Sequence, residues 1–329
     1  MRNRLKLIAA LALVLPATAS TQTYQPPRHQ ANASPLLVSG TPAELALRAD
    51  AGTQIERGRS AAGELEEHRR LTRALGALAP QRAGVVDAYV LSIALDSDPV
   101  FGREARAAGS VLGRRYDAVG RTLVLAGSDG TAASALPRGS PSSFAIALAR
   151  IAELMDRRED VLVLYTTSHG APFGLYYNDG DSGYGAISPN RLRAMLDELG
   201  IGNRLLILSA CYSGIFVPRL ASETTAIVTA AASDRTSFGC EAENDWTFFG
   251  DAMINRALRK PQSLGAAFGE ASGLIAEWER RIEARPSQPQ VAMGAGATRW
   301  LAALERRMPT TATQPVGRPA LEGRPGGSR

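Results

Sequence analysis

The run LLILSACYSG, residues 205–214, sets four large aliphatic side chains in succession and then breaks into small residues, a thiol and a glycine. A strand half-open to water alternates apolar with polar residues; unbroken apolarity marks a strand covered on both faces, as in a parallel sheet. The strand expected over 204–210 has four companions of similar character: VVDAYVLSI (85–93), RTLVLAG (121–127), VLVLYTTS (161–168) and TTAIVTAA (224–231). Helical segments are expected between them at 101–116, 142–157 and 189–199. The last opens with Ser188-Pro189, an N-cap followed by proline at the first helical position. This alternation predicts an α/β fold, a three-layer sandwich with a mostly parallel central sheet. In such sheets ligands bind beyond the carboxyl ends of the strands.

The N-terminus, MRNRLKLIAALALVLPATAS, reads as an export signal. Arg2, Arg4 and Lys6 precede an apolar run, Leu7 to Leu15, too short to span a bilayer. Ala17-Thr18-Ala19 supplies a small-residue cleavage site, so residues 1–19 are expected to be a signal peptide and the protein periplasmic or secreted. No later segment approaches the ~20 apolar residues of a membrane span. The formal charge of +5 falls to +2 without the three signal cations. Five arginines from Arg306 onward against Glu322 carry a further +4, leaving the body near −2. That balance excludes the clustered basic footprint of a nucleic-acid binder. Residues 20–82 read as a polar linker and a charged helical arm ended by Pro80, with a thin stripe of Leu65, Leu71 and Leu75; the arm is a candidate inhibitory pro-segment. The folded body is expected over 83–304, and the Pro/Gly-rich segment 305–329 has the composition of a disordered tail.

Two strand ends carry chemistry. One reads Thr167-Ser168-His169-Gly170, the other Ser209-Ala210-Cys211-Tyr212-Ser213-Gly214. If these strands are neighbours, an imidazole and a thiol face one cleft. A thiol is mostly protonated at neutral pH, while the thiolate is the nucleophile. An adjacent imidazole can take that proton and later deliver it to a leaving amine. Gly170 admits a substrate carbonyl close to the backbone, where its N–H and that of Cys211 can form an oxyanion hole. His29 and His68 lie outside the α/β body, which leaves His169 as its only histidine. Each residue also has a plainer reading: a satisfied strand-end histidine, a small buried cysteine, or a bridge from Cys211 to Cys240. No set of metal ligands competes, and no cofactor is expected.

These motifs resemble the caspase–haemoglobinase clan, and in detail the legumain (C13) cysteine peptidase family. YTTSHG (165–170) is similar to that family's histidine strand and SACYSG (209–214) to its nucleophile strand. TAAASDRTSFGC (229–240) and FFGD (248–251) are similar to the segments that form its specificity pocket. The likeness covers roughly 160–255, with a caspase-like fold implied over about 85–304. It implies His169 as general base and acid, Cys211 as nucleophile, and Gly170 with Cys211 as oxyanion donors. It places Ser237 and Asp251 at the pocket and pairs Arg103 with the family's pocket arginine. The family has a glutamate two positions before the nucleophile; here that position is Ser209, a departure that bears on any preference for asparagine.

The function this implies is an exported cysteine endopeptidase acting on peptide or protein substrates through an acyl-enzyme thioester. The alternatives are a transpeptidase or transamidase using the same nucleophile, and a non-catalytic peptide-binding module with Cys211 locked to Cys240. Elsewhere, NDGDSG (178–183) is expected to be a tight hairpin turn rather than a calcium loop. A helix is expected over 245–259 with Trp246, Phe249 and Met253 along its apolar stripe. Trp246, Phe248, Phe249, Trp278 and Trp300 are expected to be core. Oligomeric state is left unspecified.

Overall fold

The computed structural model describes residues 39–127 and 134–323, so the expected signal peptide lies outside the described residues. Five parallel strands form the centre: β2 (Ala88–Ala94), β3 (Thr122–Leu125), β4 (Val161–Thr167), β8 (Arg204–Ser209) and β9 (Thr225–Thr229). Their numbering leaves room for β1 (Ile55–Glu56), β5 (Gly170–Ala171), β6 (Gly174–Asp179), β7 (Gly183–Ile187) and β10 (Gln290–Met293). The main sheet runs in the order β10–β9–β8–β4–β2–β3, with β10 alone antiparallel. The second sheet, β1–β7–β6–β5, is antiparallel.

Strand alternation sorts the core into two layers. Val161, Val163, Tyr165, Leu205 and Ile207 face α3 (Pro99–Arg115), the π-helix Gly250–Arg256, α7 (Leu264–Arg281) and α8 (Ala297–Glu305). Leu162, Leu164, Leu206 and Leu208 face α4 (Pro141–Leu154), α5 (Pro189–Glu198) and the short α6 (Val217–Leu220). Both faces of the sheet are therefore covered, which is why its strands read as unbroken apolar runs. The three-layer α/β sandwich is the architecture expected.

Proline at the first helical position starts four of these helices, α1 (Pro42–Asp50) included. At Thr41, Ser140 and Ser188 the capping side chain accepts a backbone N–H of the first turn. Asp98, in the same position before α3, makes no such bond.

Three segments differ from expectation. The arm is a built-in part of the fold: β1 pairs with β7, and Arg59 bonds Asp179 at 2.7 Å. From α2 (Ala61–Gly76) Leu71 reaches the core layer under α4, as does Leu78 just beyond it, whereas Leu65 is 49% exposed. The helix expected over 245–259 begins only at Phe248 and winds as a π-helix from Gly250, with Trp246, Phe249 and Met253 all buried. The tail through Gly323 is tied down rather than disordered. Val316 accepts from Trp246 Nε1 at 2.8 Å, and the Ala320 N–H donates to Asp251 at 2.9 Å. The NDGDSG turn closes the β6–β7 hairpin, as expected. Trp246, Phe248, Phe249, Trp278 and Trp300 are all core. Among the described residues no helix is long and apolar enough to cross a membrane.

Candidate active site

The alternation that sorts the core also aims the chemistry. Thr167 of β4 sits in register with Ser209 of β8, and the Ser168 N–H donates to the Ser209 carbonyl at 3.2 Å. His169 and Cys211 each lie two residues beyond that pair, hence on the same α3-facing side as Tyr165, Thr167 and Ser209. Beneath them is Glu104 of α3, fully buried. Thr167 Oγ1 and Ser209 Oγ donate to its Oε1 at 2.8 and 2.9 Å, and the Tyr165 hydroxyl joins them there. The Thr247 N–H and hydroxyl both donate to Oε2 at 2.9 Å. One carboxylate thus ties the ends of both strands to α3 and to the start of the π-helix.

Above this knot the backbone is tight. A Cβ on Gly170 would stand 2.0 Å from the Cys211 carbonyl oxygen, so only glycine allows the two strand ends to close up. Tyr212, just after the thiol, adopts φ 57°, a left-handed conformation uncommon for a bulky residue. Such strain persists only where surrounding structure enforces it, as functional sites often do. Here the Tyr212 N–H is held by the Arg235 carbonyl at 2.7 Å.

The Cys211 sulfur is surrounded by donors. The Ser237 N–H donates to it at 3.2 Å, and the Ser237 hydroxyl lies 3.7 Å away. The neighbouring Cys240 thiol interacts with it as well, and both cysteines are free. Cys240 is the largest influence on the Cys211 thiol, lowering its pKa to about 6 against the opposing effect of burial; Ser237 and the charge of His169 add to it. Cys240 itself is pushed well above the ordinary thiol value, first by its interaction with Cys211 and then by burial.

His169 packs edge-on against Phe101, ring centroids 5.0 Å apart, and remains 35% exposed along its side chain. Its Nε2 lies 3.8 Å from Asp98 Oδ2. Burial would lower its pKa, but the contact with Asp98 and the charges of Asp96, Asp98 and Cys211 outweigh burial and raise it above its ordinary value. A lowered thiol pKa beside a raised imidazole pKa favours the thiolate, the form in which sulfur is nucleophilic.

Of the expected site residues, the structure gathers His169, Gly170, Cys211 and Ser237. It takes three others away. Ser209 is turned into the core, where its hydroxyl is engaged by Glu104. Asp251 is fully buried, bonded by Asn255 at 2.8 Å and Arg256 at 3.1 Å as well as by the tail, so it anchors structure instead of lining a pocket. Arg103 is spent on the loop after Cys240, donating to the carbonyls of Ala242 at 2.8 Å and of Asn244. The free thiols likewise set aside a Cys211–Cys240 bridge in this structure. Sequence reading missed Asp98, Glu104 and the activating contact of Cys240. Asp98-Pro99 repeats the pattern of Ser188-Pro189 and could have been found; the other two depend on contacts between distant segments.

Comparison with known proteins bears on this arrangement. The model of the Peptidase C13 family matches residues 143–287. Among solved structures the chain is similar to caspase-1 from Spodoptera frugiperda, at 13% identity over 66% of this chain and 93% of that one, with a TM-score of 0.43. It is similar also to the structure of pro-sf-caspase-1, at 13% identity over 65% and 95%, with a TM-score of 0.42. No curated protein matches the sequence. The stretch matched by that family model carries both His169 and Cys211, and the family is the one that the two strand-end motifs resemble.

Proposed function

We propose that the protein is an exported cysteine endopeptidase working through Cys211 and His169. The observation that carries this reading is the environment of Cys211, where the Ser237 N–H and the neighbouring Cys240 thiol favour the thiolate beside an imidazole whose own pKa is raised. The thiolate attacks the scissile carbonyl carbon, and the electron pair of the C=O moves to oxygen. Backbone N–H groups of Gly170 and Cys211 receive that oxyanion; such a donor is typically worth about 2.7–4 kcal/mol in the transition state. His169 then gives its proton to the leaving amine, and the C–N bond breaks to leave a thioester on Cys211. Water, deprotonated by His169, attacks the thioester, releasing the acid and restoring the thiolate. Ser237 lines the side of the cleft nearest the sulfur. Export follows from the signal-like sequence of residues 1–19.

Cys211→Ala is expected to abolish both hydrolysis of labelled casein and labelling at that position by iodoacetamide. Casein hydrolysis that survives in the purified variant at the wild-type rate would overturn the reading.

A further inference from the structure

We propose that Asp98 is a positioning residue for His169, its carboxylate holding the Nε2 side of the ring so that Nδ1 is left for the sulfur of Cys211. The inference rests on the Cys211–His169 reading and adds a third member to it.

Geometry carries it in three steps. First, Asp98 occupies the N-cap of α3, a position where aspartate ordinarily accepts a backbone N–H of the first turn for about 1 kcal/mol. Here the side chain makes no capping bond, although Thr41, Ser140 and Ser188 all do at equivalent positions. The helix start is set instead by Pro99, whose fixed φ suits the first helical position. Second, the carboxylate that gives up capping lies against the imidazole, Oδ2 to Nε2 at 3.8 Å, with only 19% of its side chain exposed. That distance is longer than a formed hydrogen bond, as is common for catalytic contacts before substrate closes the site. Third, the loop is braced for the task. The Asp98 N–H donates to Asp96 Oδ1 at 2.9 Å, and the Phe101 N–H to the Asp98 carbonyl at 3.0 Å. Phe101, two residues after Pro99, packs edge-on against the same imidazole. One turn of α3 thus supplies both the apolar wall and the carboxylate.

Which nitrogen carries the proton follows from this contact. An imidazole whose Nε2–H faces a carboxylate keeps its lone pair on Nδ1 when neutral, and that nitrogen can exchange a proton with sulfur. The charged groups facing His169 are Asp98 and Asp96 from the loop before α3 and Cys211 from the end of β8. Removing the Asp98 charge leaves Asp96 and Cys211 in place. The imidazolium is then less favoured, and the alkaline limb of the activity profile moves to lower pH.

The test uses the full chain and its small histidine complement. With only three histidines, a ring-proton NMR titration is assigned by replacing His29 and His68 in turn. In Asp98→Asn the His169 midpoint is expected to move down, while kcat for labelled casein peptides falls on the order of 10²-fold, the size of an acid–base contribution, at nearly constant KM. Asp98→Glu should restore part of both. An unmoved His169 midpoint in Asp98→Asn overturns the proposal even if activity is lost, because a merely structural residue would lower activity without changing that titration. The two readings separate cleanly. Survival of activity in Cys211→Ala strikes the peptidase mechanism itself, whereas an unmoved midpoint beside a dead Cys211→Ala variant strikes only the role of Asp98.

Discussion

Of two interacting thiols, the one that keeps its proton stabilises the negative charge of the other, so Cys240 and Cys211 shift in opposite directions. Cys240 is driven up and stays protonated, while Cys211 is drawn down to about 6. The sign of a substitution follows. Cys240→Ala removes the largest influence lowering the Cys211 pKa, so thiolate formation, and with it the acid limb of kcat/KM, should move toward the ordinary thiol value of about 8.5. Activity near pH 6 should fall much more than activity near pH 8, and a pH–rate profile with an unmoved acid limb would deny Cys240 this role. Glu104 acts one layer below. Three donors reach its Oε1 and two its Oε2, all from groups that burial cuts off from water. Glu104→Gln offers one carbonyl oxygen and turns an amide N–H₂ toward donors that need acceptors. Urea denaturation should show a loss of about 1–3 kcal/mol, the penalty for a buried polar group left unsatisfied. An unchanged midpoint would mean that the knot contributes nothing.

Among the elements, the arm has the clearest consequence. It extends the second sheet through β1, closes an ion pair between Arg59 and Asp179, and buries Leu71 and Leu78 in the layer under α4. None of the partners found for His169 or Cys211 comes from residues 39–78. Removing residues 1–80 should therefore destabilise the chain without activating it. Two buried leucines alone are worth about 3 kcal/mol or more. Thermal melting and casein hydrolysis of the shortened chain, side by side, check this; a shortened chain that is equally stable and more active would make the arm an inhibitory pro-segment after all. Secondary elements were largely legible in the sequence because their signals are local: unbroken aliphatic runs for β4 and β8, Ser188-Pro189 for α5. Leu65 misled because three leucines at helical spacing do not say which of them meets the sheet. Asp98-Pro99 was overlooked because the helix was read from its apolar residues, beginning at Phe101.

At the scale of the whole molecule, long-range contacts decide what composition could not. The tail reads as polar and proline-rich, yet Asp251, Asn255 and Trp246 together hold Val316 and Ala320 against the body. The same holds in the site. His169 and Cys211 were legible because each ends a strand, and adjacent parallel strands leave their ends on one edge. Ser209, Arg103 and Asp251 were misplaced because their partners lie far off in sequence: Glu104, the loop after Cys240, and the tail. Everything functional turns on whether the fold delivers a thiolate beside an imidazolium in the intact chain. The direct measurement is the rate of Cys211 alkylation by iodoacetamide as a function of pH, followed by mass spectrometry in the wild type and in His169→Ala. The account predicts a wild-type midpoint near 6 that moves upward when the imidazole is removed. A wild-type midpoint in the ordinary thiol range of about 8.5, indifferent to His169, would contradict it.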